Sequence, residues 1–329
     1  MAEVESAGDF RSVVLLAGGV GGARIAEGFA RALPEGALTV IANVGDDEEF
    51  YGLRVCPDID TLLYTLSDRI NRRQGWGVAD DTVKALDVLR DLGAPAWMKL
   101  GDADFGLHIW RSWRLAEGDS LSEITVEAAK RFDTRTNIVP ATDDRLRTKL
   151  NTDEGWMDFQ PWFVGKRCGP KVSELRYEGA DAARPSAQAM AAIGAAELIV
   201  FAPSNPLLSI EPMLAVAGLR DAVAQTPAPC VGVSPLIGGK AVKGPLARLM
   251  QDLGLEATSR AVAGRYAGLL DGFVVDAGDT EDAEALRKAG LSVASMDILM
   301  GGPEGAERLA REVLEFAAGL VPSRERRSA

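Results

Sequence analysis

Residues 12–24 read S-V-V-L-L-A-G-G-V-G-G-A-R. Val13 to Leu16 form an unbroken apolar run, the pattern of a strand buried on both faces of a parallel sheet, and glycines begin where such a strand should end. A helical pattern follows over 23–33, closed by Pro34 and Gly36, and 38–41 reads as a second strand. Strand, glycine turn, helix and strand make a βαβ unit, which predicts a Rossmann-like, doubly wound, mainly parallel α/β sheet. In that setting the turn is a candidate anion site. Backbone amides and a helix N-terminus face the ligand, and Gly18, Gly19, Gly21 and Gly22 place no Cβ between backbone and diphosphate. A tight turn needing positive φ is the plainer alternative. Neither common glycine fingerprint fits: Arg24 stands where the dinucleotide pattern has its third glycine, and the Lys-Ser/Thr pair of the triphosphate loop is absent.

The carboxyl edge of the second strand carries N-V-G-D-D-E-E-F, residues 43–50, where open α/β sheets place ligands. A second acidic stretch, C-P-D-I-D-T at 56–61, opens a helix whose apolar positions Ile59, Leu62, Leu63, Leu66 and Ile70 keep helical spacing. Here Asp58 is expected to cap the helix, and Asp60 to lie in its first turn or face the sheet edge. Carboxylates from two loops beside a phosphate turn suit a magnesium ion that bridges substrate phosphates, with Asp46 and Asp60 favoured as ligands over Asp47 and Asp58. A solvated acidic turn is the alternative. Trp76, between glycines in the loop 72–82, offers either a stacking face for a flat ligand or a lid over the core.

A helix is expected at 83–92, then a strand end and turn at 99–105 leading into another helix, and a further helix at 121–132. Periodicity changes at 135–177, which predicts an inserted β-rich subdomain with a turn at 152–155 and a strand through Phe159, Trp162 and Phe163. This insert gathers Arg145, Arg147, Lys149, Lys166, Arg167, Lys171 and Arg176, either as ordinary surface charge or as groups facing an anion. Regular α/β patterning resumes with a helix at 186–193, strands at 198–201, 230–233, 273–275 and 291–294, a helix at 281–289 and a closing helix through Leu309, Val313, Phe316 and Leu320. The organisation is thus a core in two parts, 11–134 and 181–321, with 135–180 inserted and flexible ends at 1–10 and 322–329. The strand at 198–201 ends in P-S-N-P, where Ser204 and Asn205 offer hydrogen bonds to phosphate or base, or simply form a proline-bounded turn. The strand at 230–233 leads to G-G-K-A-V-K-G-P, where Lys240 and Lys243 would supply positive charge.

Composition narrows the function classes. A net charge of -12 argues against a general nucleic-acid binder, and 47% hydrophobic content is ordinary for a globular chain of 329 residues. No apolar run reaches the length of a membrane span and no signal-peptide pattern opens the chain, so a cytoplasmic location is expected. Cys56, Cys168 and Cys230 form no metal or disulfide spacing. The single histidine, His108, in G-L-H-I-W, reads as a packed structural residue.

Taken in order, G-G-V-G-G-A-R, N-V-G-D-D, L-R-V-C-P-D-I-D-T-L-L-Y-T-L, the G-W-G loop, L-G-D-A-D, P-S-N-P and P-L-I-G-G-K-A-V-K-G-P resemble the 2-phospho-L-lactate transferases, whose bacterial members also use phosphoenolpyruvate-derived donors. The resemblance spans Val13 to about Pro245, with a compatible C-terminal end. It implies a magnesium-dependent enzyme of coenzyme F-420 biosynthesis. Such an enzyme moves a phospho-three-carbon-acid group from a guanosine diphosphate-linked donor to the ribityl hydroxyl of the deazaflavin Fo and releases GMP. Carried over, Gly19, Gly21 and Gly22 would lie against the diphosphate, and Asp46 and Asp60 would serve metal and hydroxyl. Ser204, Asn205, Lys240 and Lys243 would hold the nucleotide, and Trp76 and Thr82 would lie near the deazaflavin. A homodimer is expected as the commonest symmetric assembly. One rival is a nucleotide-sugar-binding regulator of the same fold, whose acidic pair continues into a serine- and glycine-rich stretch that this chain replaces with E-E-F-Y-G-L-R. The other, a nicotinamide-dependent oxidoreductase, lacks its third glycine.

Overall fold

The computed structural model describes residues 10–242 and 244–320. Seven strands form the central sheet: β1 Val13–Ala17, β2 Leu38–Ala42, β3 Asn137–Pro140, β4 Leu198–Phe201, β5 Cys230–Val233, β6 Gly272–Asp276 and β7 Ser292–Met296. Their order is β7-β6-β5-β4-β1-β2-β3, every neighbouring pair parallel. Chain direction across the sheet reverses between β1 and β4, so a crevice opens at the carboxyl ends of these two strands. All five residues of β1 are buried, as an all-apolar run at the centre of a doubly covered sheet requires.

Five helices concern the site: α1 Gly19–Ala32, α2 Pro57–Leu66, α3 Lys84–Asp91, α4 Asp102–Glu117 and α5 Leu121–Arg131. α1 packs along α2 and against the closing helix Pro303–Ala318. A Cβ on Gly28 would lie 2.1 Å from the Ala306 carbonyl oxygen, so close approach of the two helices accounts for that glycine. α5 begins with a capping box, Ser120 Oγ accepting from the Glu123 amide at 3.2 Å. A satellite core of Phe50, Val55, Leu86, Met98, Leu100 and Phe105 joins the hairpin of Glu48–Phe50 and Leu53–Val55 to α3 and α4. Among the described residues, no helix is long and apolar enough to cross a membrane.

The insert starts later than expected, because Asn137–Pro140 is β3 of the central sheet; beyond it the region does contain an antiparallel sheet, Gly155–Asp158, Arg147–Thr152 and Val172–Glu178, with the expected turn between the first two. The strand expected through Phe159, Trp162 and Phe163 is instead a π-helical turn, Pro161–Gly165. Spaced at i, i+3 and i+4, the three aromatics share one helical face, and Trp162 is buried with Nε1 donating to the Pro170 carbonyl at 3.0 Å. No strand forms at 99–105; α4 begins at Asp102. The ends expected to be flexible lie outside the described residues except for Phe10.

Candidate active site

The crevice between β1 and β4 is held closed by short contacts. Ser204 Oγ donates to the Gly18 carbonyl at 2.7 Å and accepts from the Gly18 amide at 3.3 Å. A Cβ on Gly21 would stand 2.8 Å from the Pro203 carbonyl oxygen, and one on Gly22 would stand 2.7 Å from Ser204 Oγ. Gly19 has φ +66°, the left-handed region that favours glycine. The glycines are therefore required by turn geometry and by the approach of the β4 loop, whatever ligand lies above them. Gly21→Ala is expected to cost about 1–3 kcal/mol by forcing the loops apart. Thermal melting tests this, and an unchanged midpoint would mean that the β4 loop yields freely.

Asp58 is brought to this turn by α2. The N-cap of α2 is Cys56, without a side-chain capping bond, and Asp58 is its second residue, not its cap. Its carboxylate accepts from the Gly19 amide at 2.6 Å and from Asn43 Nδ2 at 3.0 Å. Asn43, the first residue after β2, also donates to Asp46 Oδ1 at 3.3 Å and to the Leu208 carbonyl at 3.2 Å. One side-chain amide thus ties Asp46, Asp58 and the segment after β4 into a single cluster. The amides of Val20 and Gly21, at the start of α1, meet no acceptor among the described residues. Burial pushes the Asp46 carboxyl well above its ordinary value, with the charges of Asp58 and Asp47 adding to the effect. Asp58 is pushed up to about 6, mainly by burial and further by Asp47 and Asp60, against the hydrogen bonds from Asn43 and Gly19.

Behind the cluster lies a buried ionic layer. Asp47 pairs with Arg54 at 2.9 Å and accepts from Cys56 Sγ at 3.1 Å. Asp60 is held by Arg111 of α4, whose guanidinium is 1% exposed and also donates to the Arg54 carbonyl at 3.2 Å. Asp60 therefore faces α4 while Asp58 faces the glycine turn. His108 Nδ1 lies 3.6 Å from Asp60 Oδ2, and burial lowers its pKa to about 4, so it packs as a neutral ring at pH 7. The insert closes the layer from the other side. Arg147 donates to the Asp47 carbonyl, Gln160 Nε2 to the Asp46 carbonyl at 3.1 Å, and the Thr148 amide to the Gly45 carbonyl at 2.6 Å.

Trp76 lines a neighbouring cleft of about 450 Å³, walled also by Arg73, Asp81, Val83, Lys99 and Asp104, while Thr82, expected beside it, lies between two wall residues without lining the cleft. Lys99 Nζ lies 5.9 Å from the centre of the Trp76 ring, which is 38% exposed. The Thr82 hydroxyl donates to Asp102, and Asp102 accepts the Ala85 amide at 2.9 Å while Asp81 accepts the Ala103 amide at 2.9 Å. Two aspartates thus cap α3 and α4 reciprocally and fix the cleft wall. Burial and the charge of Asp60 push Asp104 from 3.8 to about 6, against a hydrogen bond from the Gly101 amide. The folded state then binds more protons than the unfolded state between these values, and stability falls as pH rises through them. In EDTA the wild type is expected to lose about 1–3 kcal/mol between pH 4 and 6 relative to Asp104→Asn, read by urea denaturation.

Of the remaining expected residues, Asn205 accepts from the amides of Leu207 and Leu208 at 3.0 and 3.2 Å, capping the next turn. Lys240 is exposed on a small hairpin after β5, and Lys243 lies outside the described residues. Sequence reasoning missed Asn43 and the role of Asp58. The only signal for Asn43 is its place directly after β2.

A family model described as 2-phospho-L-lactate transferase CofD matches residues 13–315. The chain is 41% identical to the phosphoenolpyruvate transferase of Kitasatospora aureofaciens over 93% of its own length and 97% of that protein. It is 39% identical to that of Streptomyces griseus over 93% and 98%. It is 36% identical to the 2-phospho-L-lactate transferase of Methanosarcina mazei over 92% and 99%. In fold it is similar to a solved UPF0052-family protein from Bacillus halodurans, with a TM-score of 0.62 at 16% identity, covering 93% of this chain and 99% of that one. With the family match running from β1 to the closing helix and these relatives covered almost end to end, the chain belongs to the 2-phospho-L-lactate transferase CofD family.

Proposed function

We propose that this transferase moves a phospho-three-carbon-acid group, phospholactate, phosphoenolpyruvate or phosphoglycerate, from a guanosine diphosphate-linked donor to the ribityl hydroxyl of Fo, releasing GMP, and that it works as a homodimer with magnesium. The observation that carries the reading is the convergence of Asp46, Asp58 and the open amides of Val20 and Gly21 at the crevice between β1 and β4. Two buried carboxylates pressed together, both with raised pKa, form a hard oxygen donor set that a divalent cation would relieve. Two such ligands suffice for magnesium, which completes its shell with waters and substrate phosphates. Asp46 and Asp58 would hold it; Asp60, already paired with Arg111, supports them from behind. When bound, magnesium would offset charge on the phosphate oxygens.

The chain's own groups do the rest. The α1 amides meet the nucleotide phosphates, Asp46 orients the acceptor hydroxyl and takes its proton as the new P–O bond forms, and GMP leaves from the opposite side. Lys240 and Lys243 meet the nucleotide, and Trp76 carries the flat acceptor ring in the adjoining cleft. The test is incubation with magnesium chloride, Fo and each guanosine-linked donor separately, followed by mass spectrometry for GMP and the phospho-acid adduct of Fo. Adduct with one donor supports the reading and names the acid. No adduct with any donor, while nucleotide still binds, overturns it.

A further inference from the structure

Three arginines surround the acidic turn, Arg111 and Arg147 buried and Arg54 half-buried, and two of them are committed. Arg54 is paired with Asp47 and Arg111 with Asp60. Arg147, the first residue of the insert's central strand, is 4% exposed and forms no ion pair among the described residues. Among the described residues its side chain makes one hydrogen bond, from Nη1 to the backbone carbonyl of Asp47. A guanidinium has five N–H donors and loses much on burial unless they are used. The Nε atoms of Arg54 and Arg111 are sealed without a partner, whereas no nitrogen of Arg147 is sealed in that way. Its charge is close enough to favour the ionised forms of Asp46, Asp47 and Glu48.

The charge balance of the crevice asks for such a group. One divalent cation offsets the two carboxylates of Asp46 and Asp58, which leaves the donor's own phosphates and carboxylate facing an acidic surface. Lys240 stands on the other side, beyond β5. We propose that Arg147, delivered by the inserted sheet, binds the anionic oxygens that the donor carries beyond its nucleoside monophosphate: the transferred phosphate or the carboxylate of the three-carbon acid. This rests on the transfer reaction given above. It also gives the insert a function, because the strand that holds the Gly45–Asp47 backbone in place then carries a substrate-binding cation as well.

The experiment measures binding of GMP, GDP and the intact guanosine-linked donor by calorimetry in magnesium chloride, for the wild type, Arg147→Gln and Arg147→Lys, with a melting curve for each. Gln can still donate to the Asp47 carbonyl but carries no charge; Lys keeps the charge without the planar fork. For Gln, donor affinity is expected to fall by about 10- to 100-fold, with a smaller loss for Lys and no change for GMP. A loss for the donor alone identifies the carboxylate as the partner, and an equal loss for donor and GDP identifies the phosphate. Donor affinity unchanged in both variants overturns the proposal, as does an equal loss for all three ligands with a lowered melting point, which is what a purely structural tether produces. A wild type that binds the donor but forms no adduct with Fo refutes the transfer reaction, and the three affinities still decide the role of Arg147. If Gln does not fold, the Lys variant decides alone, since its donor affinity should fall while its GMP affinity holds.

Discussion

Asp46→Asn is expected to lower turnover by about 10²- to 10⁴-fold, the usual range for losing a positioned general base. Donor binding should fall far less than turnover, because Asp58, the α1 amides and the asparagine oxygen that takes the place of one metal ligand remain. The variant also makes a second, opposite prediction. Asp46 is buried beside Asp58 and Asp47, and its carboxyl is held well above its ordinary pKa, so its ionisation is a cost to the metal-free fold. Asparagine keeps an oxygen to accept from Asn43 and removes that cost. In EDTA at pH 7.5 the variant should therefore melt no lower than the wild type, while adduct formation collapses. Steady-state kinetics, donor titration and a melting curve on the same preparation separate these effects. Turnover at the wild-type level would remove Asp46 from the chemistry; lost turnover with a lowered melting point would reduce it to a structural group.

The middle of the sheet was legible because β1, β4 and β5 are fully buried and therefore almost continuously apolar, whereas the edge strand β3, which opens on an exposed Asn137, was not. The runs at 198–201 and 230–233 have the same limits in sequence and in structure, and β1 differs by one residue. The position of Asp46 beside the crevice was legible for a related reason: the carboxyl end of a parallel strand fixes direction before any contact is known. The choice between Asp58 and Asp60 was not. Two residues apart on a helix, they point to nearly opposite faces, and which face meets the glycine turn is decided by how α2 packs on α1 and by the reach of Arg111 from α4. Arg111, which claims Asp60, is 51 residues away in sequence. The π-helical turn at Pro161–Gly165 was misread although its aromatics keep helical spacing, because the surrounding alternation dominated the window. The expected roles of Ser204 and Asn205 as hydrogen-bonding groups were sound chemistry, but the side-chain oxygens are spent on Gly18 and on the next turn, which only the fold reveals.

Arg111→Met is expected to destabilise the protein by about 3–5 kcal/mol, the range for breaking a buried pair by deleting one partner. The loss comes less from the missing attraction than from what remains. Asp60 is 5% exposed, and without the guanidinium its nearest polar neighbour is the neutral ring of His108. An unpaired carboxylate in that position carries its desolvation penalty only when ionised, so the cost of losing Arg111 grows as pH rises. The variant should accordingly lie closer to the wild type at pH 5 than at pH 8 in urea denaturation. Adding Asp60→Asn removes the stranded charge, and the double variant should regain most of the stability at pH 8, since a buried pair replaced as a whole is often close to neutral. If the single and double variants are equally unstable at pH 8, Arg111 acts through packing and its bond to the Arg54 carbonyl, not through Asp60. Activity distinguishes the same alternatives. α4 carries both Arg111 and the Asp104 wall of the Trp76 cleft. A double variant that folds and still turns over would show that the ionic layer behind the crevice supports the fold, while the chemistry belongs to the Asp46 and Asp58 side.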